Sequence, residues 1–199
     1  MFCLQQDANG RILIGTDNGL YRYNGFNCKR LKMEGVLSNE VLSLEKYQQV
    51  YFGLNRSGQV LKITNYNVKA LNLKGLKGEV KRISVFNNQL KVSTANYLYS
   101  YQLPGLKLLT QTEIPFTDNK RVFANDFTYF QKKWYSLLNS GELVDLEEEA
   151  ARSLPNNKGK QLIAFAGQLV IIPGNSKNEN LYAYKAGEFK NYGALDQQV

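Results

Sequence analysis

One pattern of turn, strand, turn and strand returns along this chain at near-constant spacing, and few features narrow a fold as much. The stretch Asp7-Ala-Asn-Gly-Arg-Ile-Leu-Ile-Gly-Thr-Asp-Asn-Gly-Leu-Tyr-Arg-Tyr-Asn24 carries its first copy. Asn9-Gly10 and Asn18-Gly19 supply the positive φ that tight hairpins need, and the residues between them alternate as strand residues do. Further copies lie at Val50–Ile63, Leu90–Tyr101 and Trp134–Asp145. A fifth joins Leu169–Gly174 to Leu181–Tyr184. Their third strands begin near Leu20, Val60, Leu98, Leu143 and Leu181, at intervals of 40, 38, 45 and 38 residues.

Four strands in each unit of about 40 residues predict an all-β fold, a β-propeller or partial propeller of about five four-stranded antiparallel blades. The blades are expected at 1–39, 40–79, 80–120, 121–160 and 161–199, in one repeat domain spanning 1–199. First strands at 1–5, 41–46, 80–86, 122–130 and 162–166 would line the central channel. Gly15, Gly53, Ser93 and Ser136 are read at one equivalent place on the second strand, where a small residue lets a neighbour approach closely. Trp134 aligns with Leu13 and Tyr51, which predicts a core tryptophan. Glu147-Glu148-Glu149 reads as a solvated hairpin tip and not as a calcium loop. Five blades can close, further blades can complete a ring, or two chains can pair; the spacing does not choose.

Composition closes off several chemistries. The 199 residues include no histidine, which excludes a Ser-His-Asp triad, a Cys-His pair, a His-ligated metal and a phosphoacceptor histidine. Cys3 falls on a first strand and Cys28 on a fourth, about 14 Å apart by strand spacing. A disulfide needs Cα atoms within about 7 Å, so two free thiols are expected. The net charge of +8 is spread along the chain, which argues for a solvated surface and against nucleic acid. No apolar run is long enough to cross a membrane. Met1-Phe2-Cys3-Leu4 runs into polar Gln5-Gln6-Asp7, without the basic start and apolar core of a signal peptide.

The run Gly10-Arg-Ile-Leu-Ile-Gly-Thr-Asp-Asn-Gly-Leu-Tyr-Arg-Tyr-Asn24 resembles the two-component regulator propeller repeat, with Leu13 where that repeat usually has Trp. Val36-Leu-Ser-Asn-Glu-Val41 resembles the family's link between blades, and Tyr51-Phe52-Gly53 repeats part of the pattern. The resemblance implies the sensor region of a bacterial hybrid two-component system, placed in the periplasm or outside the cell. It further implies an oligosaccharide ligand and signalling through modules that follow the propeller.

Propellers bind at loops on one face. The loops between second and third strands offer Asp17, Asn18, Asn55, Arg56, Asn96, Tyr97, Asn139 and Ser140. The blade links offer Asn39, Glu40, Asn119, Lys120 and Arg121. Amides with an aromatic ring suit sugar hydroxyls and a sugar face. The expected ligand set is Asp17, Asn18, Asn55, Arg56, Asn96, Tyr97, Asn139 and Arg121, with no catalytic residue, metal or cofactor. The expected partners are an oligosaccharide or other small ligand and a second copy or further blades of the same protein, without nucleic acid or membrane insertion. A protein-interaction scaffold is the alternative. A propeller glycosidase or lyase comes third, since Asp7, Asp17, Glu40, Asp126 and Asp145 form no evident acid pair.

Overall fold

The computed structural model describes residues 2–117, 122–154, 159–173 and 180–194. These residues form strands and turns, without a helix among them. The first sheet holds β1 (Cys3–Gln6), β2 (Ile12–Thr16), β3 (Gly19–Tyr23) and β4 (Cys28–Arg30), in that order. In the second, β5 (Met33–Glu34) precedes β6 (Val41–Tyr47), β7 (Val50–Asn55), β8 (Val60–Thr64) and β9 (Asn67–Ala70). Its order is β5-β9-β8-β7-β6, with β5 laid parallel on the β9 edge. The third sheet holds β10 (Arg82–Phe86), β11 (Gln89–Ser93), β12 (Tyr97–Gln102) and β13 (Lys107–Glu113). The fourth holds β14 (Ala124–Phe130), β15 (Lys133–Leu138), β16 (Glu142–Asp145) and β17 (Ala150–Ser153). The fifth holds β18 (Gly159–Phe165), β19 (Gln168–Pro173), β20 (Asn180–Lys185) and β21 (Glu188–Ala194). Among the described residues, no sheet closes on itself.

The chain divides into two compact units, residues 1–94 with 99–111 and residues 95–98 with 112–199. In the first unit, Leu13 and Leu20 of the first sheet pack on Leu44, Tyr51, Leu61 and Ile63 of the second. Phe52 and Leu54 lie on the opposite face of β7 and are also buried, so this strand has apolar residues on both sides. In the second unit, Phe130, Tyr135, Leu137 and Leu143 pack on Leu162, Leu169, Ile171 and Tyr182. Such faces of Leu, Ile and Tyr removed from water supply the main force for stacking sheets.

The small-residue alignment shifts by one position. Gly15 pairs with Leu20 and looks toward the second sheet, where a Cβ would stand 2.8 Å from the Val41 carbonyl oxygen. Gly53 pairs with Leu61 and shares the face of Tyr51, which looks back at the first sheet. Its hairpin counterpart in the first sheet is therefore Ile14, which pairs with Tyr21. The cause is turn length. Only Asp17 and Asn18 separate Thr16 from Gly19, whereas β7 and β8 are joined through a longer turn closed by Asn55 N–H on Gln59. One residue of offset moves a side chain to the other face of a sheet. Ser136 is fully buried on β15, with its hydroxyl toward the Asp126 carbonyl at 3.3 Å. Trp134 is buried two residues earlier, its ring 5.4 Å from that of Phe127 and 5.1 Å from that of Tyr129.

Both thiols are free. Cys3 lies under Gly15, and burial pushes its pKa up to about 11. Cys28 is exposed.

Candidate functional site

An antiparallel meander puts its turns at two opposite ends. Loops from second to third strands, and the links between sheets, share one end. The first-to-second and third-to-fourth turns share the other. At this second end, in the first unit, a cleft of about 200 Å³ opens between the first and second sheets. It is lined by Asp7, Ala8, Asn9, Arg11, Gln49, Tyr51, Ile63, Asn65 and Tyr66.

The cleft is built from two turns. Asp7 opens the turn from β1 to β2, and its Oδ1 accepts the N–H groups of Asn9 (2.8 Å) and Arg11 (2.9 Å). This side-chain-to-backbone closure is why Asp recurs in turns. Gly10 completes the turn at φ +76°. The other carboxylate oxygen is left to face the second sheet, where it accepts the Tyr66 hydroxyl at 2.5 Å. Tyr66 sits in the two-residue turn from β8 to β9, with Asn65 and Tyr66 both at positive φ (+50° and +63°). That is the twist a tight hairpin needs, adopted here by a bulky residue that rarely takes it.

Two guanidinium groups lie over the Tyr66 ring. Arg22 from β3 lies 4.4 Å from the ring centroid, and Arg11 lies 5.6 Å away. Arg11 also donates to the Tyr66 hydroxyl at 2.8 Å. Cation–π attraction and this hydrogen bond hold the ring across the gap between the sheets. Burial pushes the Asp7 carboxyl up, but the Tyr66 hydroxyl, the N–H groups of Arg11 and Asn9 and the Arg11 charge outweigh it, so the group stays below the usual carboxylate range. A carboxylate held ionised by this many donors positions groups and does not deliver protons. Asn9, Gln49 and Asn65 are exposed around the ring. The arrangement offers amide donors and acceptors, an aromatic ring and fixed charges of both signs.

Of the residues expected from sequence, Asp17, Asn18, Asn55 and Arg56 lie at the other end of the first unit, and Asn96, Tyr97 and Asn139 belong to the second unit. Asp17 and Asn18 are exposed in the β2–β3 turn, which Thr16 organises by accepting the Asn18 N–H at 3.1 Å. Asn55 is 1% exposed. Its side-chain nitrogen donates to Ser38 O (2.9 Å) and Gln59 Oε1 (3.1 Å), and its oxygen accepts from Ser57 Oγ and Gln59 N. It therefore holds the loop together. Arg56 is exposed and faces Glu40 at 3.5 Å. Asn96 and Tyr97 are half-buried, and the Asn96 carbonyl accepts Ile114 N–H at 2.7 Å. Asn139 accepts Phe123 N–H at 2.8 Å and returns its own N–H to the Phe123 carbonyl. Ser140 lines a separate dent of about 160 Å³ with Phe116, Val122 and Glu142. Arg121, with Asn119 and Lys120, lies outside the described residues. Asp7-Ala8-Asn9-Gly10 was legible as a turn, but its convergence with Asn65-Tyr66 depends on how two sheets stack.

Stacked four-stranded meanders with a cleft between turn ends define an all-β, propeller-type module. Solved structures carry the same fold. The extracellular domain assigned to the hybrid two-component system BT3049 of B. thetaiotaomicron superposes with a TM-score of 0.74 at 15% identity. That match covers 98% of this chain and 30% of the other. A second such domain, from BT4673 of the same organism, gives 0.58 at 16% identity over 99% of this chain and 33% of that one. The β-propeller domain of Cps50 (Swd1) from Myceliophteria thermophila gives 0.66 at 10% identity, covering 99% and 68%. The chain thus spans about a third of the length of the two-component domains it resembles. No protein-family model matches the sequence, and no curated protein does. Among the described residues, no helix is long and apolar enough to cross a membrane, and no group of three acidic or thiol side chains is placed to hold a metal.

Proposed function

We propose that this chain is a stretch of about five propeller blades from the extracellular sensor of a two-component system, and that it takes an oligosaccharide in the Asp7–Tyr66 cleft. The observation that carries the reading is the polar lining of the cleft, where the exposed amides of Asn9, Gln49 and Asn65 surround a Tyr66 held by Asp7, Arg11 and Arg22. Amides donate to and accept from sugar hydroxyls. The likeness to extracellular two-component domains supports the sensing role. The reading is non-catalytic, since the cleft's carboxylate is committed to Tyr66 and to its own turn. Binding would favour one packing of the first sheet on the second and pass that preference to neighbouring modules.

A thermal-shift screen against neutral and acidic oligosaccharides tests this. A ligand at 100 times its Kd that binds only the folded chain adds about 2.7 kcal/mol of stability. One sugar class should raise the melting temperature of the wild type and of Asn18→Ala, and fail to raise that of Asn9→Ala and Gln49→Ala. No shift across the panel, or a shift that survives both cleft substitutions, would refute the site. A second reading, a protein-interaction scaffold, draws on Phe26 and Leu37, which are 92% and 81% exposed in turns of the first unit. It predicts that Phe26→Ser and Leu37→Ser abolish capture of a protein partner without touching any sugar-dependent shift.

A further inference from the structure

The face that the first sheet turns toward the second changes character along its length. Leu13 and Leu20 are fully buried in the core that the two sheets share. Toward the cleft the same face is cationic. Arg22 pairs with Leu13, and Lys29 pairs with Arg22, so the two cations stand side by side on neighbouring strands. Arg11, two residues before Leu13, shares their face by alternation. The second sheet adds Lys46, which pairs with the cleft residue Tyr51 and donates from Nζ to the Gln6 carbonyl at 3.2 Å.

The nearby carboxylates do not answer this row. Asp7 is the acidic residue that lines the cleft, and its two oxygens already accept the Asn9 and Arg11 N–H groups and the Tyr66 hydroxyl. Glu34 is held by Lys32 at 3.3 Å and Lys69 at 3.4 Å. Glu45 pairs with Phe52, on the other face of the second sheet. Among the described residues, neither Arg22 nor Lys29 forms an ion pair. The Arg22 charge is met by the Tyr66 ring, 4.4 Å from the guanidinium, and its Nε is buried without a hydrogen-bond partner.

Two like charges directly opposite on paired strands repel one another. An anion set between Arg22 and Lys29 removes that repulsion. The planar guanidinium favours the two-point geometry that a carboxylate or sulfate offers, and the lysine adds a point charge beside it.

We propose that the sugar taken by this cleft is acidic, and that its carboxylate or sulfate group lies on Arg22 and Lys29 beside Tyr66. The inference rests on the oligosaccharide reading and adds the ligand's charge and the residues that select it. Asn9, Gln49 and Asn65 serve hydroxyls of any sugar. The cation pair separates a charged sugar from a neutral one of the same length.

Isothermal titration into the full chain at physiological salt tests this. The probes are oligogalacturonates and sulfated galactan oligosaccharides, each beside its neutral counterpart, the methyl ester or the desulfated galactan. One acidic class should bind at least about tenfold tighter than its neutral counterpart, the worth of one charge-assisted hydrogen bond. Preference for the uronate assigns a carboxylate to the pair, and preference for the sulfated probe assigns a sulfate. Lys29 is exposed, so Lys29→Gln should keep the wild-type circular dichroism spectrum. It should nonetheless weaken the acidic probe by about tenfold, and Lys29→Arg should restore it. Arg22→Gln should abolish the preference for the acid. Lys107→Gln removes an exposed charge from another sheet of the first unit and should leave binding as it is. Equal affinity for an acid and its neutral counterpart, lost in Gln49→Ala, would overturn the acidic ligand and leave the sugar reading standing. No binding by any probe would overturn both. A loss in Lys107→Gln as large as in Lys29→Gln would mean attraction to bulk charge, and would overturn the site.

Discussion

Gly15→Ala adds one methyl group at the tightest approach between the first and second sheets. The new Cβ would lie 2.3 Å from Cys3 Sγ, 2.8 Å from the Val41 carbonyl oxygen and 3.2 Å from Val41 Cγ1. The thiol can swing aside, but the carbonyl belongs to the backbone of β6 and must retreat by more than half an ångström. Forced overpacking of this kind costs about 1–3 kcal/mol. Replacing a strand glycine returns about 0.5–1 kcal/mol of backbone entropy, which leaves a net loss of up to about 2.5 kcal/mol. For a chain of this size that is a melting temperature lower by up to about 10 °C. Gly53→Ala is the internal control. Its Cβ would meet Leu44, Leu61 and Ser43 at 3.5 Å, ordinary van der Waals contact, so the entropy gain stands alone and the melting temperature should rise by about 1–4 °C. Thermal melts of the two variants beside the wild type decide the matter. Equal shifts, or a loss for Gly53→Ala as large as that for Gly15→Ala, would refute the assignment of the two glycines to opposite faces.

Burial pushes the Glu45 carboxyl above its usual range, against the Val85 N–H and the Arg82 charge. A raised folded-state value means that stability present below about pH 4.3 is lost as pH rises through the folded pKa. Glu45→Gln should therefore raise the melting temperature at pH 7, with the gain gone at pH 3; an equal gain at both would contradict this. Asn55→Ala strips the partners from Ser38 O and Gln59 N and should cost about 1–3 kcal/mol in urea unfolding, while sugar-dependent shifts persist. A selective loss of ligand binding would instead return Asn55 to the site. With its pKa pushed up to about 11, Cys3 should resist a thiol reagent at pH 8 that modifies exposed Cys28, so one thiol reacts in the folded chain and two in urea.

The strands and turns were legible because their signals are local. Asn9-Gly10 and Asn18-Gly19 fix turns wherever they stand, and Ile12 to Thr16 alternates whatever lies beside it. Trp134 was legible as core because it sits on a strand already marked by its neighbours. Facing was not legible. The longer turn after Asn55 and the irregularity between Val41 and Ser43 each shift a strand by one residue, and one residue exchanges its two faces. Gly15 and Gly53 were thereby aligned although they look in opposite directions. The cleft was missed for a different reason. Asp7, Arg22 and Tyr66 come from three turns and strands, and their meeting depends on the stacking of two sheets, which no single window of sequence records. Asn55 shows the limit of a local signal, because a turn amide that binds its own loop, as Asn55 does, has the same signature as one that waits for a ligand.

The central claim is that the working site lies at the Asp7–Tyr66 end of the first unit. Isothermal titration of the best-binding oligosaccharide into the wild type, Gln49→Ala, Arg11→Ala and Asn18→Ala tests it most directly. The account predicts unchanged affinity for Asn18→Ala and at least tenfold weaker binding for the two cleft variants. Undiminished affinity in the cleft variants, with binding lost in Asn18→Ala, would place the site at the opposite end and contradict it.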